Sequence, residues 1–447
     1  MNFWDLHAEP AQRSAVIDAE GQVHSAAALL ARITQLEHAL AALGSRTLGF
    51  VLCDNRLADL ALYLACLRQG HVPLLLAAQT PPEQLAVLQA RYQPQWIATR
   101  GEPEPQLDAP PAELHPELGL LLSTSGTTGS PRLVRLTRAA LQANATSIAS
   151  YLELTPKERA ITSLPMHYSY GLSVINSHLL VGATLVLNND SVFSREFLQR
   201  LREQQVTSLA GVPYMYQMLH RTAFFKQDLP ALRTLTQAGG RLDEKLMRLV
   251  AELAQASGRR FFVMYGQTEA CARISYVPPA QLASKIGSIG VPIPGGALKV
   301  AAENGELIYR GPNVMLGYAE QLADLARGDD CQGRLLTGDI GWVDDDGFFY
   351  ITGRLKRFIK ISGNRIGLDE VEQALQAVLH VPLAVAGTDD LLVVWVESQD
   401  VTLLDQVREF VRQQYAIHPT MTRLQLVEQL PLQPSGKKDY GALTRTQ

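Results

Sequence analysis

The sequence is poor in the features that mark several protein classes. It has only four cysteines in 447 residues (Cys53, Cys66, Cys271, Cys331), far apart and with no C-x-x-C, which argues against a disulfide framework or a cysteine zinc site. Neither sign of charge is in large excess: 40 Lys+Arg against 44 Asp+Glu leave -4. With no long basic run either, no nucleic-acid partner is expected. Long apolar runs are missing too. The stretch 179–187 falls well short of the roughly 18 residues that span a bilayer, so no transmembrane segment is expected. The opening MNFWDLHAEP has no basic region ahead of an apolar core, so no secretory signal is expected, and the expected location is cytoplasmic. No internal repeat occurs at a solenoid period. What remains is an ordinary globular balance, 47% hydrophobic and 19% charged. At about 150 residues per domain, the length suggests two or three domains.

Helix and strand patterns alternate from the start. Residues 26–43 are an Ala/Leu-rich amphipathic pattern with no internal Gly or Pro. Residues 47–53 read as a buried strand, 58–68 as a helix ended by Gln69-Gly70, 72–76 as a strand, and 80–92 as a helix opening at Pro81-Pro82. The Pro- and Glu-rich stretch 101–116 reads as a surface connection. The rhythm resumes at Leu118 and runs to about Ala280. After Lys285, glycines and prolines punctuate short strands at 298–300, 306–309 and 347–351. From Leu368, helix 368–378, strands 384–386 and 391–396, helix 403–414 and strand 423–427 form a small α+β unit. The expected class is α/β: a large N-terminal domain over 1–352, with mixed and parallel sheets flanked by helices plus a β-rich segment, and a smaller α+β domain over 353–447.

The most informative stretch follows the apolar run 118–122. It reads Ser123, Thr124, Ser125, Gly126, Thr127, Thr128, Gly129, Ser130, Pro131, Arg132. Two glycines let several backbone N–H groups turn toward one anion, and the hydroxyls can donate to phosphate oxygens. Arg132 adds a forked positive charge. The Walker spacing G-x4-G-K-[ST] is absent, and so is the G-x-S-x-G of serine hydrolases.

With these residues in view, the sequence resembles the adenylate-forming superfamily of acyl-CoA synthetases, peptide-synthetase adenylation domains and luciferases, and is closest in kind to acyl- and aryl-CoA ligases. Six motifs stand in the family's order: residues 67–74, the loop 123–132, Met264-Tyr265-Gly266-Gln267-Thr268-Glu269, Thr337-Gly338-Asp339, residues 353–366, and residues 430–437. The resemblance implies two half-reactions. A carboxylate attacks the α-phosphate of MgATP to give an acyl-adenylate and pyrophosphate, and a thiol then displaces AMP to give a thioester. Carried over residue by residue, it implies Mg²⁺ on Glu269, α-phosphate donation by Thr268 and adenine against Tyr265 and Gly266. It also implies a close-approach turn at Gly239-Gly240, ribose on Asp339, and ribose or phosphate on Arg354. Lys356 would be the hinge of a mobile C-terminal domain, and Lys437 would bridge the substrate carboxylate and ATP. Relatives usually carry Lys-Gly where this chain has Arg132-Leu133, so the charge is kept with a different shape.

The same register places the acyl pocket at 165–172 and 211–216, with His167, Tyr168, Gly171, Val212 and Tyr214 as lining; either His167 or Tyr168 faces the substrate. No acidic residue occurs between Pro165 and Leu187, and an unpaired ammonium in a buried pocket is costly, which disfavours an α-amino acid. A fatty, short acyl or aryl acid is expected. The acceptor would be coenzyme A or the phosphopantetheine of a carrier protein acting in trans; a homodimer is compatible with the charge. From another class, a non-catalytic AMP- or acyl-adenylate-binding homologue is the competing reading, and the presence of Thr268, Glu269, Asp339, Arg354 and Lys437 argues against it.

Overall fold

The computed structural model of the chain describes residues 2–6, 12–123, 132–355, 357–361, 364–415, 417–433 and 438–445. The chain divides into two compact units, Met1–Leu298 with Tyr309–Leu335, and Lys299–Ile308 with Leu336–Gln447. Among the described residues no helix is long and apolar enough to cross a membrane.

The first unit is built on two large sheets. At the centre of a nine-stranded sheet, six neighbouring strands run parallel in the order Arg260–Tyr265, Thr234–Gln237, Ser208–Gly211, Arg159–Ile161, Thr184–Val186 and Ser14–Ile17. Antiparallel strands close its edges. In the seven-stranded sheet, Leu118–Ser123, Val72–Ala77, Leu48–Cys53 and Trp96–Thr99 run parallel. These strands are almost wholly apolar because helices cover parallel sheets on both faces.

The helices begin and end where side-chain chemistry stops them. Ser25 caps Ala26–Ala41 by accepting from the Ala28 N–H, and Gly70, at φ +82°, ends Leu57–Gln69. The expected helix at 80–92 starts at Pro82, where the missing proline N–H costs nothing. One expectation is corrected: the stretch 101–116 is not wholly a connection, because Glu102–Pro105 forms an edge strand antiparallel to Trp96–Thr99. Proline is tolerated at an edge because one side of the strand needs no partner.

The second unit holds most of a four-stranded sheet in the order Ala297–Val300, Glu306–Arg310, Arg334–Val343, Phe349–Arg354, together with a two-stranded and a three-stranded sheet. Its core gathers Val371 and Leu375 from helix Leu368–Leu379 and Val407 and Val411 from helix Thr402–Tyr415 onto Val385, Val394 and Val396.

Candidate active site

In the first unit, residues expected at the site lie on loops leaving the carboxyl ends of parallel strands. His167 and Tyr168 follow Arg159–Ile161, Val212 follows Ser208–Gly211, Gly239 and Gly240 follow Thr234–Gln237, and Gly266, Thr268 and Glu269 follow Arg260–Tyr265. Those four strands are neighbours, so residues a hundred positions apart meet on one sheet edge, where α/β sheets bind ligands.

Contacts tighten that placement. Gly239 has φ +84°, and a Cβ there would stand 2.6 Å from the Tyr168 hydroxyl and 3.1 Å from Val212 Cγ1. Glycine is therefore required at this close approach. Burial pushes the Tyr168 phenol up to about 12, with the Arg273 guanidinium pulling the other way. His167 is held below the usual imidazole range by burial, so it is neutral at pH 7, and its buried Nδ1 has no hydrogen-bond partner among the described residues. Tyr214 packs edge-on against Phe193. Gly171 serves the backbone, since a Cβ would meet the carbonyls of Pro165 and Leu164 at 2.3 and 2.8 Å.

Thr268 and Glu269 start a short 3-10 turn. The Thr268 hydroxyl lies 3.1 Å from that of Ser169. Glu269 Oε1 accepts from the Tyr318 hydroxyl at 2.7 Å, and the Arg132 guanidinium stacks over the Tyr318 ring, 3.9 Å from its centre. Tyr318 thus joins two residues picked from separate motifs. Sequence reasoning missed Tyr318 because it lies 49 positions beyond Glu269; its only local signal is an aromatic after Gly317. Strand Gly317–Ala319 borders strand Leu133–Thr137, which begins just after Arg132. Ser123 pairs with Leu133 across the hairpin, so the described ends of the hydroxyl-rich loop close beside Tyr318. Thr124, Ser125, Gly126, Thr127, Thr128 and Gly129 lie outside the described residues.

A divalent cation fits Glu269 in one specific way. Among the described residues no group of three or more His, Cys, Asp or Glu could hold a metal. A cation here would lean on one carboxylate plus the phosphates and waters of its ligand, which is the habit of Mg²⁺.

In the second unit Asp339 and Arg354 face each other across antiparallel strands, with Arg354 Nε donating to Asp339 Oδ1 at 3.0 Å. Thr337 donates to the Leu307 carbonyl, and its hydroxyl accepts from the Asp339 N–H, setting the turn at Gly338. Lys356 and Lys437 lie outside the described residues.

The buried Glu372 carboxylate gathers Arg357 at 3.0 Å, Lys438 at 2.6 Å, the Tyr440 hydroxyl at 2.9 Å and the Val385 N–H at 2.8 Å. Burial alone would raise its proton affinity, but Lys438 and then Arg357 outweigh it and hold the carboxyl below the usual range. Its contribution to stability is therefore full above the ordinary carboxylate value and lost as pH falls through the lower folded value. Glu372→Gln is expected to cost about 3 kcal/mol at neutral pH, with the gap to wild type closing below about pH 4. Thermal melts from neutral to acid pH would check this; a gap independent of pH would refute the charge-based account.

Residues 89–319 match the family model described as "AMP-binding enzyme". The chain is 31% identical over 351 residues to feruloyl-CoA synthase of Amycolatopsis sp, covering 73% of this chain and 69% of that protein. It is 32% identical over 337 residues to 2-succinylbenzoate–CoA ligase of Bacillus licheniformis, covering 71% and 68%. In fold it matches o-succinylbenzoate CoA synthetase of Bacillus subtilis, solved with an acyl-adenylate, with a TM-score of 0.80 at 24% identity over 98% of this chain and 96% of that one. It likewise matches ATP-bound MatB of Rhodopseudomonas palustris, with a TM-score of 0.79 at 22% identity over 100% and 99%.

Proposed function

Because the chain belongs to the AMP-binding enzyme family, we propose that it is an AMP-forming acid–thiol ligase, which activates an acyl or aryl carboxylic acid with ATP and passes the acyl group to coenzyme A. The observation that carries this reading is the convergence of Tyr168, Gly239, Thr268 and Glu269 on the carboxyl edge of four neighbouring parallel strands.

The residues divide the chemistry between them. The acid would enter against Tyr168, Val212 and Gly239, and no acidic residue occurs between Pro165 and Leu187 to repel its carboxylate. Thr268, oriented by Ser169, would donate to the α-phosphate as charge gathers there. Arg132 and the loop that begins at Ser123 would offset charge on the departing pyrophosphate. Mg²⁺, when bound, would share that task, held by Glu269 with Tyr318 fixing the carboxylate. Adenine would lie against Tyr265 and ribose on Asp339, with Arg354 orienting the aspartate. Converting the acid to a mixed anhydride gives the thiol a far better leaving group and splits one hard step in two. Lys356 would be the hinge about which residues 353–447 move between the steps, bringing Lys437 to the first.

The test is ATP–pyrophosphate exchange with MgATP, without thiol, across fatty, short-chain, aryl and amino acids. Exchange stimulated by one or more non-amino acids is expected. AMP-linked thioester formation should then follow on adding coenzyme A; a phosphopantetheinyl carrier protein tested in parallel identifies the acceptor. Nucleotide binding without exchange for any acid would instead support the non-catalytic homologue.

A further inference from the structure

The loop that carries His167 and Tyr168 is held from outside itself. It leaves strand Arg159–Ile161 of the nine-stranded sheet, and Thr162, Leu164 and Met166 along it are buried. Buried backbone groups past the end of a strand still need hydrogen-bond partners. Asn55 supplies them. Its Nδ2 donates to the carbonyls of Thr162 and Leu164 at 3.1 Å and of Asn188 at 3.0 Å, and its Oδ1 accepts from the Met166 N–H at 3.0 Å. A side-chain amide offers two N–H hydrogens and one carbonyl oxygen, so both ends of this one are engaged. Asn55 belongs to the other large sheet. It follows strand Leu48–Cys53 of the seven-stranded sheet and lies 111 positions before Met166. The asparagine is itself clamped, since its N–H donates to Asn189 Oδ1 at 3.0 Å and its carbonyl accepts from Asn189 Nδ2 at 3.3 Å.

Three observations tie this clamp to the acid pocket. Among the described residues, the loop's own backbone supplies one bond within 164–168, from the Tyr168 N–H to the Pro165 carbonyl at 3.1 Å, so its shape leans on Asn55. The loop carrying Thr268 closes on itself instead: the Ala270 and Ala272 N–H groups donate to the Gln267 carbonyl, and the Cys271 N–H to that of Thr268. The Leu164 carbonyl that Asn55 holds also lies against Gly171, where a Cβ would stand 2.8 Å from it, so the loop has no room to move toward that helix. The turn that carries Asn55 also lies near His167. Burial holds the imidazole below its usual range, and the charge of Asp54, the residue before Asn55, pulls the other way.

We propose that Asn55 is a positioning residue for the acid pocket: its side-chain amide, reaching from the other sheet, holds loop 162–168 in the backbone shape that presents His167 and Tyr168 to the acid. This rests on the acid-activating reading above. Asn55 touches no reacting group and acts only through the loop it holds.

The test measures ATP–pyrophosphate exchange by the full chain, varying acid and ATP in turn. Asn55→Asp is nearly isosteric and keeps an acceptor for Met166, but it removes both N–H donors and sets oxygen against three carbonyls. It is expected to lower kcat/KM for the acid by about ten-fold or more, mostly through KM, while KM for ATP changes by less than about three-fold. A merely structural asparagine would move both substrates alike, or neither while the variant stays folded, and either result overturns the proposal. Should Asn55→Asp fail to fold, Asn189→Ala, at an exposed position, loosens Asn55 through its backbone alone. The same split at smaller size is expected there, and its absence overturns the proposal. Deuterium uptake gives a readout that needs no turnover: either variant should raise uptake at 162–168 and leave 265–273 as in wild type. If no acid supports exchange in the wild type, the ligase reading fails and uptake decides the clamp alone. Unchanged uptake at 162–168, or a rise spread over both sheets, overturns it.

Discussion

Lys437→Ala is expected to lower acid-dependent ATP–pyrophosphate exchange by about a hundred-fold to a thousand-fold while changing thioester formation from pre-formed acyl-adenylate by no more than about ten-fold. The asymmetry follows from where charge develops. In the first step, an anionic carboxylate approaches an anionic phosphate, and a cation between them offsets repulsion that grows toward the transition state. In the second step, AMP leaves from a neutral carbonyl centre, and that cation is not required. The flanks of this lysine are well anchored: Leu432 bridges to Lys438, and the Asp439 N–H donates to the Pro431 carbonyl at 2.8 Å. The substitution should therefore leave the second unit's folding intact, which circular dichroism would verify. Equal loss of both half-reactions would remove Lys437 from its assigned role.

Gly266→Ala is the second large effect, and it arises from backbone geometry. A Cβ at Gly266 would stand 1.8 Å from the Ala272 carbonyl oxygen and 2.8 Å from Arg273 Cα. Neither is a flexible side-chain end that could step aside. The loop is closed behind it by hydrogen bonds from Ala272 N–H to Gln267 and from Ile274 N–H to Tyr265. Its shape can change only by displacing Thr268, Glu269 and Arg273 together. The expected cost is about 4 kcal/mol or more, with exchange activity lost. Gly258→Ala is the control: its φ is +67° but nothing lies within 4 Å, so only the backbone penalty of about 1–2 kcal/mol is expected. Denaturant melts of both variants decide the matter; equal losses would show that the clash relaxes cheaply.

Much of the local structure was legible because it is written in short-range pattern. The Ala/Leu periodicity of 26–43 appears as helix Ala26–Ala41, and the expected strand 391–396 appears as Leu391–Glu397. The edge strand Glu102–Pro105 was not legible. Alternating Glu and Pro has low strand preference, and only the neighbouring Trp96–Thr99 makes it a strand. Site residues show the same division. Gly239, Thr268 and Glu269 could be picked from motifs, because each must be its own residue type whatever surrounds it. Tyr318 could not: a tyrosine after glycine reads locally as surface or packing.

By itself, then, the sequence determined the alternation of helix and strand, the hydroxyl-rich loop and the motif set that marks the family. Those properties depend on side-chain chemistry within a few residues of one another. Only the tertiary structure decided that the loops after four strands open on one edge, and that Tyr318 joins Arg132 to Glu269. Strand order and burial are set by contacts between residues tens to hundreds of positions apart.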